Sequence, residues 1–400
     1  MTRLNQRVKG AAMDKDLVRQ PIRVLHVITG LKSGGAEMML YKLLSGMDRR
    51  RFACTVVSLT DDGDLADRIQ ALGVPVYSLN MKGAMSMPLA ILRLRRMMKD
   101  QGTQMVQCWM YHADLLGGLA GWLMNVPVIW GIRQSNFDVT TSKQATIRIM
   151  HWCARLSQKI PTRIVCCSDT ACRIHTQQGY ATHKMVMIPN GFQVEIFRPD
   201  AQVRDRTRAA LKIPANAAVV GIVGRFDPQK DHKNFVKASA RVMQRLPHVY
   251  FLLCGKGLSA DNTELMAWIR EEGVADHCLL LGQRDDLNQL YCAMDVLVSA
   301  SAYGEGFPNV VGEAMACAVP CVVTDVGDSA LIVGDSGRVV PPRDVEALAA
   351  AIQELLLLSL EERNQLGMAA RRRIEENYAL PMVVERYQDL YEGVVAQISG

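Results

Sequence analysis

Long hydrophobic runs are missing from this 400-residue sequence. The most apolar stretch, residues 117–132, is broken by Asn125 and Pro127, short of the roughly 18–20 unbroken residues a spanning helix needs. A membrane-embedded chain is therefore not expected. Residues 1–20 also lack an apolar block; polar and basic, they read as a flexible tail rather than a signal segment. Low-complexity tracts are absent, and 49% hydrophobic with 22% charged residues is the composition of a folded globular protein. Paired Cys/His spacings of the zinc type are lacking too. The eleven cysteines, an odd number, lie mostly inside apolar runs (Cys54, Cys108, Cys166, Cys254, Cys292), which suits reduced, buried thiols in the cytoplasm. No metal site is predicted.

Helix-turn-helix, zinc-finger and RNA-binding aromatic signatures are also missing, so nucleic acid is not an expected partner. The charge nevertheless divides unevenly. Residues 1–190 hold 25 Lys+Arg against 12 Asp+Glu, a balance of +13, while residues 191–400 hold 21 against 28, a balance of −7. A basic half joined to an acidic half points to an anionic partner for the first half, either a membrane surface or an acceptor.

What the sequence does contain is a steady alternation of short apolar runs, rich in β-branched residues, with longer helical patterns. The runs fall at 22–28, 52–59, 74–79, 104–109, 126–132, 162–167 and 185–188, then at 218–223, 249–254, 277–281, 295–299, 321–324 and 337–340. Continuously apolar runs mark strands covered on both faces, and strand–helix alternation implies parallel sheets. The pattern restarts after Asn190-Gly191-Phe192. The expected division is a tail over 1–20, Rossmann-like domains over 21–192 and 193–380, and a closing helix over 381–400. In that last segment Val383, Tyr387, Leu390, Tyr391 and Val394 recur at helical spacing. Doubly wound domains bind ligands at the carboxyl ends of their strands, so two facing domains would share a cleft.

Chemistry concentrates in residues 299–313. A strand ends at Ser299, Gly304 and Gly306 let backbone approach a ligand, and Pro308 suits the first position of a helix. Such a helix start is a seat for phosphate. Glu305 and Glu313, eight apart, supply carboxylates able to accept hydrogen bonds from vicinal hydroxyls. A carboxylate near a helix start is also ordinary capping, but Glu305 stands between two glycines before the helix, which capping does not explain. After the strand at 218–223, Gly224-Arg225 and Lys230 can neutralise a diphosphate; otherwise the lysines are a solvated helix start, a poor place for cations.

These segments resemble the E-x7-E and Gly-Arg…Lys motifs of the group 1 glycosyltransferases (glycosyltransferase family 4), and the resemblance runs from Ile22 to about Ile398. It implies the GT-B fold: an acceptor-binding first domain, a nucleotide-sugar-binding second domain, and retaining transfer with no cofactor or metal. It also implies roles. Glu305 would lie against the donor sugar and Glu313 would bind the ribose. The backbone of Gly306, Phe307, Pro308 and Asn309 would follow the sugar and diphosphate, and Arg225 and Lys230 would hold the phosphates. Gly34 and Gly35, in Gly34-Gly35-Ala36-Glu37, would touch the donor from the first domain, or simply form a turn. His112, after the fourth strand, would contact the transferred sugar, and Arg284 would stand near the base pocket. Arg133, ending the fifth strand, is a candidate for meeting an anionic acceptor or donor, the alternative being a rim salt bridge.

The donor is expected to be a nucleotide-sugar, with UDP as the base carrier, and the acceptor a glycan or a lipid-linked glycan in surface polysaccharide or lipopolysaccharide assembly. Two cationic amphipathic stretches, residues 89–99 and 143–159, would lie on an anionic membrane, giving a cytoplasmic protein peripheral to the inner face of the membrane. The Asp62/Asp64 pair reads as a solvated loop rather than a metal motif. Three rival readings remain open at this point: an epimerase or glycogen/sucrose-type enzyme on the same fold, a catalytically silent nucleotide-sugar binder, and, from the first glycine-rich loop and Asp61, a dehydrogenase.

Overall fold

The computed structural model describes residues 20–32, 34–135 and 144–399. The tail expected over 1–20 lies, save Gln20, outside the described residues, as do Ser33, Asn136 and Lys143. A seven-stranded parallel sheet has the order β3-β2-β1-β4-β5-β6-β7, built from β1 (Ile22–Ile28), β2 (Phe52–Ser58), β3 (Val76–Ser78), β4 (Met105–Trp109), β5 (Val128–Ile132), β6 (Arg163–Cys166) and β7 (Met185–Met187). A six-stranded parallel sheet follows in the order β10-β9-β8-β11-β12-β13, from β8 (Ala218–Val223), β9 (Val249–Cys254), β10 (Cys278–Leu280), β11 (Val296–Ser299), β12 (Cys321–Thr324) and β13 (Arg338–Val340). Every apolar run became a strand. Two start two residues late for one reason: Pro75 and Pro127 have no N–H to give the ladder, so β3 opens at Val76 and β5 at Val128.

The first sheet carries α1 (Gly35–Gly46), α2 (Leu65–Ala71), α3 (Met87–Gln101), α4 (Tyr111–Trp122), α5 (Gln144–Leu156) and α6 (Asp169–Gln177). The second carries α7 (Ala201–Ala210), α8 (His232–Arg245), α9 (Thr263–Glu271), α10 (Leu287–Ala293), α11 (Asn309–Ala316), α12 (Ser329–Val333) and α13 (Val345–Leu357), followed by α14 (Leu360–Tyr378) and α15 (Leu380–Ser399). Strands β4 and β5 are buried along their whole length, as helices on both faces of a parallel sheet require.

The chain passes between the domains twice, side by side. Phe192 donates its N–H to Tyr378 O at 2.9 Å, and Leu380 donates back to Phe192 O at 2.8 Å. Beyond that crossing α15 returns to the first domain, where Val383, Tyr387, Tyr391 and Val394 are buried in its core beside α1. A second apolar cluster runs without a break from the first sheet through Phe192 and Phe307 into the second. Two Rossmann-like domains therefore face each other across a cleft, closed by C-terminal helices.

Candidate active site

The segments leaving β1, β4, β5, β7, β8 and β11 at their carboxyl ends line one cleft of about 600 Å³. From the second domain, the loop after β11 turns at Gly304, whose φ of +76° favours glycine. Gly306 is pressed against the first domain: a Cβ there would stand 3.2 Å from Cys167 Sγ and 3.6 Å from the Arg133 carbonyl oxygen. Pro308 was expected to be the first helical residue but is the N-cap. Its ψ of 114° leaves it extended, so α11 opens at Asn309. The Phe307 ring turns away from the cleft and stacks on Phe192, leaving its backbone on the cleft wall.

Neither α11 nor α1 has a capping side chain at its N-terminus, whereas α6, α7, α8, α9, α13 and α14 do. A Cβ on Gly35 would come within 3.9 Å of Asn309 Nδ2, so two uncapped helix starts converge from opposite domains. The positive dipole ends make the space between them suited to an anion, although at α1 the Glu37 carboxylate already takes its own backbone N–H.

Side-chain charge reinforces this. Lys230 pairs with Glu305, whose Oε1 also accepts the Ser301 hydroxyl at 2.6 Å. Burial pushes the Glu305 carboxyl up, but the Lys230 ammonium, the Ser301 hydroxyl and Arg225 outweigh it and hold the group below the usual carboxylate range. Glu305 is thus an ionised hydrogen-bond acceptor at neutral pH rather than an acid. Arg225 donates to Asp227 at 2.9 Å and to Gln229 at 3.2 Å. On the opposite wall, Arg133 donates to the Tyr387 hydroxyl at 3.1 Å and to Asn190 Oδ1, with its guanidinium 5.4 Å from the centre of the Trp109 ring. Among the described residues it makes no ion pair.

Glu305, Gly306, Phe307, Pro308, Asn309, Arg225, Lys230, Gly35 and Arg133 therefore share the cleft. Four expected residues are not on its lining. His112 is second in α4, half-buried, with its imidazole pKa lowered by that burial; its neighbour Met110 faces the cleft instead. Gly34 is exposed just before Gly35. Arg284 is exposed and forked onto Asp286 at 2.8 and 2.6 Å. Glu313 is buried beneath the cleft against Lys42. Glu37, Met110 and Asn190 line the cleft without having been singled out. Burial raises the Glu37 carboxyl, with its own backbone N–H opposing. Met110 adopts φ +71°, ψ 162°, a backbone conformation that costs a non-glycine residue energy. Asn190 donates to Phe307 O at 3.0 Å and Asn309 Oδ1 at 2.9 Å; its signal was the Asn-Gly step at the end of β7. In the Asp62/Asp64 loop, Asp62 accepts the Ser78 hydroxyl, and among the described residues no group of three His, Cys, Asp or Glu is placed to hold a metal.

Two facing Rossmann-like domains with a shared cleft and closing C-terminal helices are the GT-B architecture. Residues 33–196 match the family described as Glycosyltransferase Family 4, and residues 217–357 the one described as Glycosyl transferases group 1. The chain is 30% identical over 282 residues to the phosphatidyl-myo-inositol mannosyltransferase of Mycolicibacterium smegmatis, covering 66% of this chain and 67% of that one. It is 26% identical over 385 residues to the UDP-Gal:alpha-D-GlcNAc-diphosphoundecaprenol alpha-1,3-galactosyltransferase of Escherichia coli, covering 90% and 97%. Among solved structures it is similar to HepE of Anabaena in complex with UDP, with a TM-score of 0.82 and 20% identity over 93% of this chain and 100% of that one. The protein belongs to the family 4, group 1 glycosyltransferases, enzymes that move a sugar from a nucleotide-sugar donor to an acceptor.

Proposed function

We propose that the protein is a retaining hexosyl- or hexosaminyltransferase that uses a UDP-sugar and a glycan or lipid-linked acceptor in surface polysaccharide or lipopolysaccharide assembly. The observation that carries this is the convergence of the α1 and α11 N-termini with Lys230, Arg225 and Glu305 on one cleft. A diphosphate seated between the helix starts gains negative charge as its bond to the sugar breaks, and the fixed N–H groups, Lys230 and Arg225 favour that charge. Ionised Glu305 accepts hydrogen bonds from sugar hydroxyls. The acceptor oxygen bonds to the anomeric carbon on the face the diphosphate leaves, and the departing phosphate oxygen takes the acceptor's proton. No side-chain base is required, and side-chain cations replace a metal, so activity is expected to survive EDTA; loss in EDTA with recovery on adding magnesium would refute that point.

UDP is favoured because HepE is solved with it and the E. coli relative is named for UDP-Gal and a diphosphoundecaprenol-linked acceptor. A cytoplasmic setting is favoured by the eleven free cysteines. A peripheral place on an anionic membrane is favoured by α3, where Arg93, Arg96 and Lys99 are exposed beside Leu89 and Leu92, and by α5, where Arg148 and Arg155 flank an outward-facing Trp152. Among the described residues no helix is long and apolar enough to cross a membrane. A thermal-shift panel of UDP-, GDP- and ADP-sugars tests the donor, since a ligand of the native state raises Tm. UDP-sugars should raise it most; a larger shift with GDP- or ADP-sugars would overturn the choice of base.

A further inference from the structure

One buried ion pair joins the two domains away from the cleft lining. Lys42, on α1, is 3% exposed, and its Nζ reaches Oε1 of Glu313, on α11, at 3.2 Å. The Tyr291 hydroxyl, on α10, donates to the other carboxylate oxygen at 3.3 Å. The ammonium also lies 5.6 Å from the centre of the Phe192 ring. That ring is pressed flat on the residue before the glutamate, since a Cβ on Gly312 would come to 2.1 Å from Phe192 Cζ. The lysine is therefore held at the point where the chain crosses between domains, aimed at a single carboxylate.

Fold stability alone is a poor reason for it. Desolvating two charges cancels most of the attraction a buried pair gains, and an apolar residue of similar volume often serves as well. The position of the pair suggests another role. Each carboxylate oxygen has two lone pairs; Lys42 uses one on Oε1 and Tyr291 one on Oε2, which leaves one on each for a ligand hydroxyl. We propose that Lys42 is a positioning residue for the donor: reaching across the domain boundary, it fixes the Glu313 carboxylate so that its remaining lone pairs meet the two vicinal ribose hydroxyls. Ribose recognition by the second domain then depends on a side chain of the first. This rests on the reading of Glu313 as the ribose-binding residue.

The test is calorimetric binding of UDP, GDP and ADP, each against its 2′,3′-dideoxy form, to the full chain and to Lys42→Met. The wild type should prefer the ribose form of the nucleotide it binds by about 100-fold or more, the size of two hydrogen bonds to a carboxylate. In Lys42→Met that preference should fall to about threefold or less, with affinity for the dideoxy form unchanged. Wild-type preference retained in the variant overturns the proposal. So does an equal loss for both forms, which would mark Lys42 as merely structural. A wild type without preference, or without nucleotide binding, removes the ribose from Glu313 and the role of Lys42 with it. Lys42→Gln, which keeps a donor and most of the stem, replaces the methionine variant if that does not fold. It should show an intermediate preference, and full wild-type preference overturns the proposal there too.

Discussion

The two walls of the cleft meet their charges differently. On the second-domain wall each cation has a carboxylate, Lys230 with Glu305 and Arg225 with Asp227. On the first-domain wall the partners of Arg133 among the described residues are neutral, the Tyr387 hydroxyl, the Asn190 amide and the Trp109 ring. An incoming diphosphate must share the second wall's cations with carboxylates already bound to them, so the start of α11, which has no capping side chain, would add to its attraction. The first wall offers a guanidinium with no carboxylate partner among the described residues, which suits an anionic group on a ligand. A buried cation paired with a carboxylate needs no ligand to balance it, and a half-buried guanidinium is helped by neutral partners that satisfy its donors.

The difference predicts how variants divide. Lys230→Ala should have the largest effect, a fall in kcat of about 10²–10³ at saturating donor with a smaller change in donor KM, because the lost charge matters most as the leaving group forms. A normal kcat with a raised KM would reduce the second wall to simple binding. Arg133→Met should raise acceptor KM by about tenfold, one lost charged hydrogen bond, and leave donor KM alone. Equal rises in both would erase the distinction between the walls.

Legibility divided along the same line. The second wall was readable because Glu305 to Asn309 is one contiguous segment with glycines and a proline at telling places. The first wall is assembled from the ends of β1, β4, β5 and β7, so Gly35 and Arg133 could be named singly from the sequence but Met110 and Asn190, which join them only on folding, could not. The strands were legible because their apolar runs are continuous. Lys42 gave no warning: among Met39, Leu40, Leu43 and Leu44 it reads as the solvent side of an amphipathic helix, and only the docking of α11 puts a carboxylate opposite. Pro308 was misplaced by one residue because proline is common at both the N-cap boundary and the first helical turn, and composition does not report ψ.

Smaller effects sharpen the contrast between domains. Anionic vesicles should bind the protein through the first domain, and release it as the screening length falls from ~10 Å at 0.1 M salt to ~3 Å at 1 M. Replacing Arg93, Arg96 and Lys99 with Gln should weaken sedimentation with such vesicles, whereas equal binding to neutral ones would dismiss the electrostatic surface. In the second domain, both ring nitrogens of His232 are buried without hydrogen bonds among the described residues, and burial, aided by Lys230, lowers its pKa to about 4. The unfolded chain takes up this proton near pH 6.5 and the folded one does not. Stability from the neutral imidazole is therefore present above pH 6.5 and lost as pH falls towards 4, by about 2 kcal/mol at pH 5. His232→Phe should raise Tm more at pH 5 than at pH 8; an equal change at both would mean the imidazole is protonated in the fold.

A crystal structure with UDP bound addresses the donor site most directly. The diphosphate should lie between Gly35 at the start of α1 and Asn309 at the start of α11, within hydrogen-bond reach of Lys230, with the ribose towards Glu313. Phosphates seated away from both helix starts, for instance in the cavity between Arg204, Cys292 and Arg363 on the far side of the second domain, would mean that the cleft is not where the donor binds.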